Sequence, residues 1–233
     1  MEGTAGGMTG PLTSEPTGPH ALFLDGLDET TRQQFLDRAR RRRFEAGAMV
    51  TQESEPCSGL FVTVSGLVKV FKTSINGREQ IVRYAPPGSS FNEVTVLDGG
   101  VNPTNAQAVV DSEVLVISRE VMVELMDSDP RVTHAIIDSL SGLYRHLMEL
   151  VEDLSFRHVS ERVSRVLLQS VVPHRGVGAG LDTQRRLTQG EIAEIIGSTR
   201  EVVGRALRSL EDAGAIRLER GAITLVDVSK LES

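Results

Sequence analysis

Apolar and polar positions change their period several times along this chain. Between residues 44 and 118 they alternate in short runs, at 59–64, 67–72, 80–85, 106–110 and 114–117, split by turns such as Asn76-Gly77 and Pro86-Pro87-Gly88. Alternation sends successive side chains to opposite faces, so these runs predict short β-strands. Their regular spacing predicts a small antiparallel barrel or roll. A helix is expected before them over 22–43, with Phe35 and Leu36 apolar and Arg40, Arg41, Arg42 and Arg43 as a solvated face. Helical spacing resumes near Arg119 and lengthens after Pro130, where Ile136, Leu140, Leu143, Leu147, Leu150 and Leu154 recur at intervals of 4, 3, 4, 3 and 4. That is a heptad seam, which predicts a helix–helix dimer interface. The alternative is a long helix packed onto its own domain. A further helix is expected over 160–172, then a glycine-containing loop over 174–182.

Residues 188–213 predict two short helices joined by a tight turn. Thr188 is suited to cap the first, with Glu191 at the capping-box spacing. Ile192, Ala193, Ile195 and Ile196 give it an apolar face, and Gly197 is suited to end it in a left-handed conformation. Ser198 is then expected to start the second helix, with Glu201 three residues on and Thr199 between. Val202, Val203, Ala206, Leu207 and Leu210 form its apolar stripe, which leaves Arg200, Glu201, Arg205 and Arg208 outside. Arginine at such a position reads guanine edges, and a glutamate accepts from the cytosine amino group. The pair therefore reads as a helix-turn-helix; an ordinary amphipathic helix pair with solvated arginines is the alternative. Two β-like runs at 216–219 and 222–226, around Arg220-Gly221, form the wing that follows such a recognition helix. Arg217 and Arg220 could approach phosphates there, or the hairpin is a plain solvated one.

The pattern defines an α+β chain: a disordered tail over 1–20, a β-roll sensor over 21–125, a dimerisation helix over 126–156 and a winged helix-turn-helix over 157–233. Composition adds exclusions. One cysteine among 233 residues leaves no disulfide framework and no cysteine-ligated iron–sulfur cluster. No apolar run reaches the ~18 residues of a membrane span, and no secretory signal is visible, so a cytoplasmic protein is expected. The net charge of −7 argues against nucleic acid until it is divided. From Arg157 onward 12 Lys and Arg face 10 Asp and Glu, net +2, and the preceding part carries −9. The acidity belongs to the roll end, and the DNA-reading end is mildly basic. A roll could also be a metal enzyme of the cupin type, but the histidines are His20, His134, His146, His158 and His174, with none between 21 and 133. No phosphate loop or nucleophile constellation appears either, and no enzyme is expected.

The order of β-roll, long helix and winged helix resembles the cyclic-AMP receptor protein and fumarate–nitrate regulator superfamily of bacterial transcription factors. The resemblance covers roughly residues 20–230. It is most specific at GSTREVVGRALRSLEDAGAI, and it is visible again from Leu154-Ser155-Phe156 through Arg162, which looks like the hinge and first helix of the DNA-binding domain. It implies that Arg200, Glu201 and Arg205 read bases in a GTGA-like half-site, with Thr188 and Gln189 at phosphate-contacting positions and Ser198 and Thr199 beside them. It further implies a homodimer on a double-stranded, pseudo-palindromic operator, with RNA polymerase as a partner. The segment Gly88-Ser89-Ser90-Phe91-Asn92-Glu93 through Pro103-Thr104-Asn105-Ala106 looks like the phosphate-binding cassette of the family's sensor. Glu93 falls at the ribose-binding glutamate. Pro103 stands where an arginine would clamp the cyclic phosphate, and Leu147 and Met148 stand where hydroxyls would meet adenine. The chain is therefore expected to answer to an effector other than cyclic AMP. Asn92, Glu93, Thr104 and Asn105 would line a polar pocket backed by Leu147 and Met148, suited to a neutral or cationic ligand, or the pocket is vestigial. No cofactor is expected. A haem-dependent sensor using His146, His134 or Cys57 is an alternative, as is a ligand-binding module that does not read DNA specifically.

Overall fold

A computed structural model describes residues 23–24, 26–171, 187–219 and 222–231. The expected tail over 1–20, the loop over 174–182 and the turn at Arg220-Gly221 lie outside these residues. The first helix is α1 (Glu29–Arg38), capped by Asp28, whose side chain accepts from the Thr31 amide. It ends sooner than the sequence suggests. The four arginines form not a helical face but a strand, β1 (Arg40–Phe44), paired in register with Ser112–Ile117, named β8 below. Their polar character hides the strand, because β1 is an edge held by backbone bonds. Arg41 and Arg43 both reach Glu113, at 2.5 and 2.9 Å, and Arg42 lies over the Phe44 ring.

The roll continues with β2 (Met49–Thr51), β3 (Leu60–Ser65), β4 (Val68–Thr73), β5 (Glu79–Ala85) and β6 (Ser90–Phe91). A short helix, α2 (Glu93–Asp98), follows inside the region expected to be wholly β. Then come β7 (Asn105–Ala108) and β8 (Ser112–Ile117). Two four-stranded antiparallel sheets result, in the orders β1-β8-β3-β6 and β2-β7-β4-β5. Alternation divides the core cleanly. Phe61, Val68, Val70, Phe91, Ala106 and Val114 meet in one cluster drawn from both sheets. Leu60, Val62, Leu115 and Ile117, at the opposite parity, pack against Phe35, Met122, Leu125, Val132 and Ile136 of the helices.

Two helices follow: α3 (Arg119–Ser128) and α4 (Pro130–Phe156). Pro130 sits in the first turn of α4, where its missing N–H is no loss, and Asp129 caps the helix. One face of α4 buries Val132, Ala135, Ile136, Ser139, His146, Leu150 and Asp153 in its own chain. This corrects the expected seam at two positions. Ile136 is 1% exposed and Leu150 8%, in the chain's own cores. Leu140, Leu143 and Leu147 are half-buried and Leu154 is exposed. A second apolar line, one residue on, faces solvent: Ile137, Tyr144, Met148 and Val151. Two apolar lines one residue apart look alike to a heptad count, and packing within the chain buries Ile136 and Leu150 while the second line stays exposed.

The C-terminal part holds α5 (Val159–Val171), α6 (Gln189–Ile196), α7 (Arg200–Asp212), an antiparallel hairpin of β9 (Ile216–Glu219) and β10 (Ala222–Leu225), and a 3-10 turn at Val228–Leu231. Val163, Val166, Leu167, Ile192, Ile195, Val203, Leu207 and Ile216 form its core. That core is continuous with Leu67, Phe71, Ile81 and Tyr84 of the roll. No helix among the described residues is long and apolar enough to cross a membrane.

Candidate functional site

The helix pair α6–α7 is built by local bonds. The Thr188 hydroxyl accepts from the Glu191 amide at 3.2 Å, and the Glu191 carboxylate accepts from the Thr188 amide at 2.8 Å, a complete capping box. Gly197 ends α6 at φ 65°. The cap of α7 is Thr199, whose side chain accepts from the Val202 amide. The expected cap, Ser198, is still engaged in closing α6: its amide donates to the Ala193 carbonyl at 2.9 Å. The glycine turn uses one more residue than the sequence suggests, so the cap moves forward by one.

Gln189, Arg200, Glu201, Gly204, Arg205 and Arg208 line one open groove of about 410 Å³. Four of the expected reading residues thus share a surface, joined by Gly204 and Arg208. Arg200, Glu201, Arg205 and Arg208 are exposed. No hydrogen bond or ion pair engages the side chains of Arg200, Glu201 or Arg205 among the described residues. Gly204 is buried beside Gln189, whose Oε1 lies 3.4 Å from where a Cβ would stand. Thr188 is exposed but its hydroxyl serves the cap; Ser198 and Thr199 are half-buried in the turn. The surface can present arginine forks and one carboxylate to base edges in a major groove.

The roll end is arranged differently. Asn92 takes a left-handed conformation, φ 73°, and its side-chain amide donates to the Gly59 carbonyl at 2.9 Å. Glu93 begins α2 and is 2% exposed. Its carboxylate accepts from Arg83 at 3.0 and 3.2 Å, from Ser90 at 2.8 Å and from Ser139 of α4 at 2.9 Å. Burial opposes the carboxylate charge, but the Arg83 guanidinium and these hydrogen bonds outweigh it and hold the carboxyl below its ordinary range. Glu93 is thus neutralised from within the roll by Arg83. Thr104 and Asn105 belong to another neighbourhood. Asn105 accepts from the Glu53 amide at 2.9 Å, and the Pro103 carbonyl accepts from Lys72 at 2.9 Å. No hydrogen bond links this set to Asn92 or Glu93 among the described residues. Leu147 packs on the core that the roll shares with α5 and α6, and Met148 is 45% exposed.

Arg83, Ser90 and Ser139 were missed from sequence. A signal existed for Arg83: it shares strand parity with buried Ile81 and Ala85, and an inward arginine demands a buried counter-charge. His146 is buried, and its Nε2 lies 2.7 Å from the Val82 carbonyl of β5. Burial, with Arg83 nearby, pushes its pKa below the ordinary imidazole value. His134 is exposed, and Cys57 is a free, half-buried thiol.

Comparison with known proteins agrees with this architecture. The cyclic nucleotide-binding domain family matches residues 41–129, and the Crp-like helix-turn-helix domain family matches residues 161–233. The cAMP-activated global transcriptional regulator Vfr of Pseudomonas aeruginosa is 30% identical over 204 residues, covering 86% of this chain and 93% of its own length. The CRP-like cAMP-activated global transcriptional regulator of Mycobacterium tuberculosis is 29% identical over 190 residues, 81% of this chain and 84% of its own. The solved structure of the c-di-GMP responsive global regulator CLP of Xanthomonas campestris matches with a TM-score of 0.74 at 24% identity, covering 85% of this chain and 99% of that one. The chain belongs to the cyclic-AMP receptor protein and fumarate–nitrate regulator superfamily, whose members are transcription regulators and not enzymes.

Proposed function

We propose that this protein acts as a homodimer that reads a pseudo-palindromic operator through α7, in the cytoplasm, under an effector other than cyclic AMP. The observation that carries the reading is the open groove in which Arg200, Glu201 and Arg205 stand exposed without internal partners. Charges left unsatisfied on one face of a recognition helix are available to base edges. Dimerisation is supported by α4, whose one apolar face is covered by its own chain while Ile137, Tyr144, Met148 and Val151 remain exposed. Two-fold symmetry would then set the half-sites about one helical turn apart. RNA polymerase enters the proposal by family resemblance.

Against cyclic AMP stand Pro103, which supplies neither charge nor N–H where the family places an arginine, and Glu93, whose carboxylate is already taken by Arg83, Ser90 and Ser139. Relatives carry names that refer to different cyclic nucleotides, cAMP in one and c-di-GMP in another, so the family does not dictate one ligand. Haem is not part of the proposal, because the His146 Nε2 is engaged with the Val82 carbonyl.

Selection of binding sites from random DNA tests the core of this reading, and an inverted repeat with GTGA-like halves is expected. Enrichment of no sequence would overturn it. Titration calorimetry with cyclic AMP should give no micromolar binding. Sedimentation of Val151→Asp, which sets a charge in the exposed apolar line, should report monomer; an unchanged dimer would move the interface elsewhere.

A further inference from the structure

The hairpin of β4 and β5 does more than complete the roll. Its inner side is part of the apolar cluster shared with α5 and α6. At the edge of that contact, Gln80 lies against the turn of the helix-turn-helix. Its side-chain amide donates to the Ile195 carbonyl at 3.0 Å and to its neighbour Ile81 at 2.9 Å. The Ile195 carbonyl is in the last turn of α6, where the helix supplies no partner. Two other acceptors of that turn are satisfied inside the DNA-binding part: Ala193 by the amides of Gly197 and Ser198, and Ile196 by Arg162 at 2.6 Å. Ile195 receives its donor from the roll. The fit is close, for a Cβ on Gly197 would lie 2.3 Å from the Gln80 Oε1 and 3.0 Å from Leu154. Lys69 of β4, opposite Tyr84 of β5, reaches Glu194 at 3.5 Å and also pairs with Glu79. This docking leaves Arg200, Glu201 and Arg205 open to solvent.

We propose that Gln80 is a positioning residue for DNA readout: it completes the end of α6 from the sensor roll and so fixes the angle at which α7 is presented. The proposal rests on the reading of a dimer on two half-sites. In such a dimer the roll and α4 set the frame, and Gln80 ties each reading head to it. A head so tied accepts one half-site spacing and resists others. A head released from the tie reaches several.

Gln80→Met tests this, since it keeps length and packing while removing the donor. Gln80→Ala is the second variant. Full-length protein is titrated with three DNA duplexes: a single half-site, the selected operator, and the operator with two base pairs inserted between its halves. Wild type should lose about tenfold or more on the lengthened operator. Gln80→Met should bind the single half-site as wild type does, and its loss on lengthening should shrink to about threefold, in keeping with one lost hydrogen bond. The Gly197→Ala substitution should weaken operator binding less in Gln80→Ala than in wild type, because the Cβ then meets no Gln80 amide. If wild type discriminates between spacings and both Gln80 variants do so equally well, the positioning role is overturned. If wild type itself binds both spacings alike, the two-half-site reading fails, and the proposal with it. A fall in single half-site binding that matches the fall on the operator would make Gln80 a support of the fold only, which also overturns it.

Discussion

At the DNA-reading end Arg200 and Glu201 stand adjacent in solvent with no side-chain partner among the described residues, whereas in the roll Arg83 and Glu93 are buried against each other. The residue types are the same and the physics is opposite. An exposed charge keeps its hydration, so leaving it without a protein partner costs the fold little. It also stays available to an outside ligand. A buried charge has lost its water and must be satisfied from within, and its bonding capacity is then already used. The reading end should therefore be tunable without loss of stability, while the roll's charges should govern stability and contribute little to ligand choice.

The sharpest way to break this contrast is Glu93→Ala. Removing one member of a buried pair strands Arg83 at 6% side-chain exposure, and about 3–5 kcal/mol of stability should be lost. Replacing both residues by leucine should destabilise less than the single change. Denaturant unfolding measures each, and a loss under about 1 kcal/mol for Glu93→Ala would place this pair with ordinary surface ion pairs.

Arg205→Ala tests the other end. Binding to the selected operator should weaken by about 1–3 kcal/mol, with a much smaller change on random DNA and no shift in the thermal midpoint. Equal losses on both DNAs would mean that Arg205 touches only phosphate. Between the extremes lies Thr199→Ala, which deletes the cap of α7 and should lower stability by about 1 kcal/mol in the same unfolding assay. The smallest effect concerns pH. His146 resists protonation when folded, so as the pH falls below its ordinary value of 6.5 the unfolded chain takes up the proton first. Stability should decline with acidification from there, and the slope should end once the folded imidazole is itself protonated. His146→Gln keeps a donor for Val82 but cannot titrate. Thermal midpoints taken from about pH 8 to pH 5 should be flatter in that variant.

What could be read from the sequence follows the range of the interactions. Thr188, Glu191 and Gly197 act within a few residues of themselves, and the helix pair they delimit was legible almost to the residue. The error at Ser198 came from one overlapping hydrogen bond in the turn. The strand at Arg40, Arg41, Arg42 and Arg43 was not legible, because an edge strand is held by backbone pairing and its side chains carry no alternation. On α4 the heptad count found an apolar helix but not that Ile136 and Leu150 are buried in the chain's own cores, since that burial depends on the rest of the chain and not on α4 itself. The contacts of Gln80 with Ile195 and Gly197 span 115 residues or more and left no trace in local pattern.

The edge strand bears on behaviour in bulk solution. β1 ends its sheet, and beyond it lies a row of backbone donors and acceptors that could template a strand of another molecule. Four consecutive guanidinium groups line that row, two of them only partly offset by the single carboxylate of Glu113. Two such edges brought together would set eight like charges within a few ångströms. The arginine run should thus resist fibrous association, and its worth would show in shelf life at high concentration, where no assay of the dilute protein would detect it.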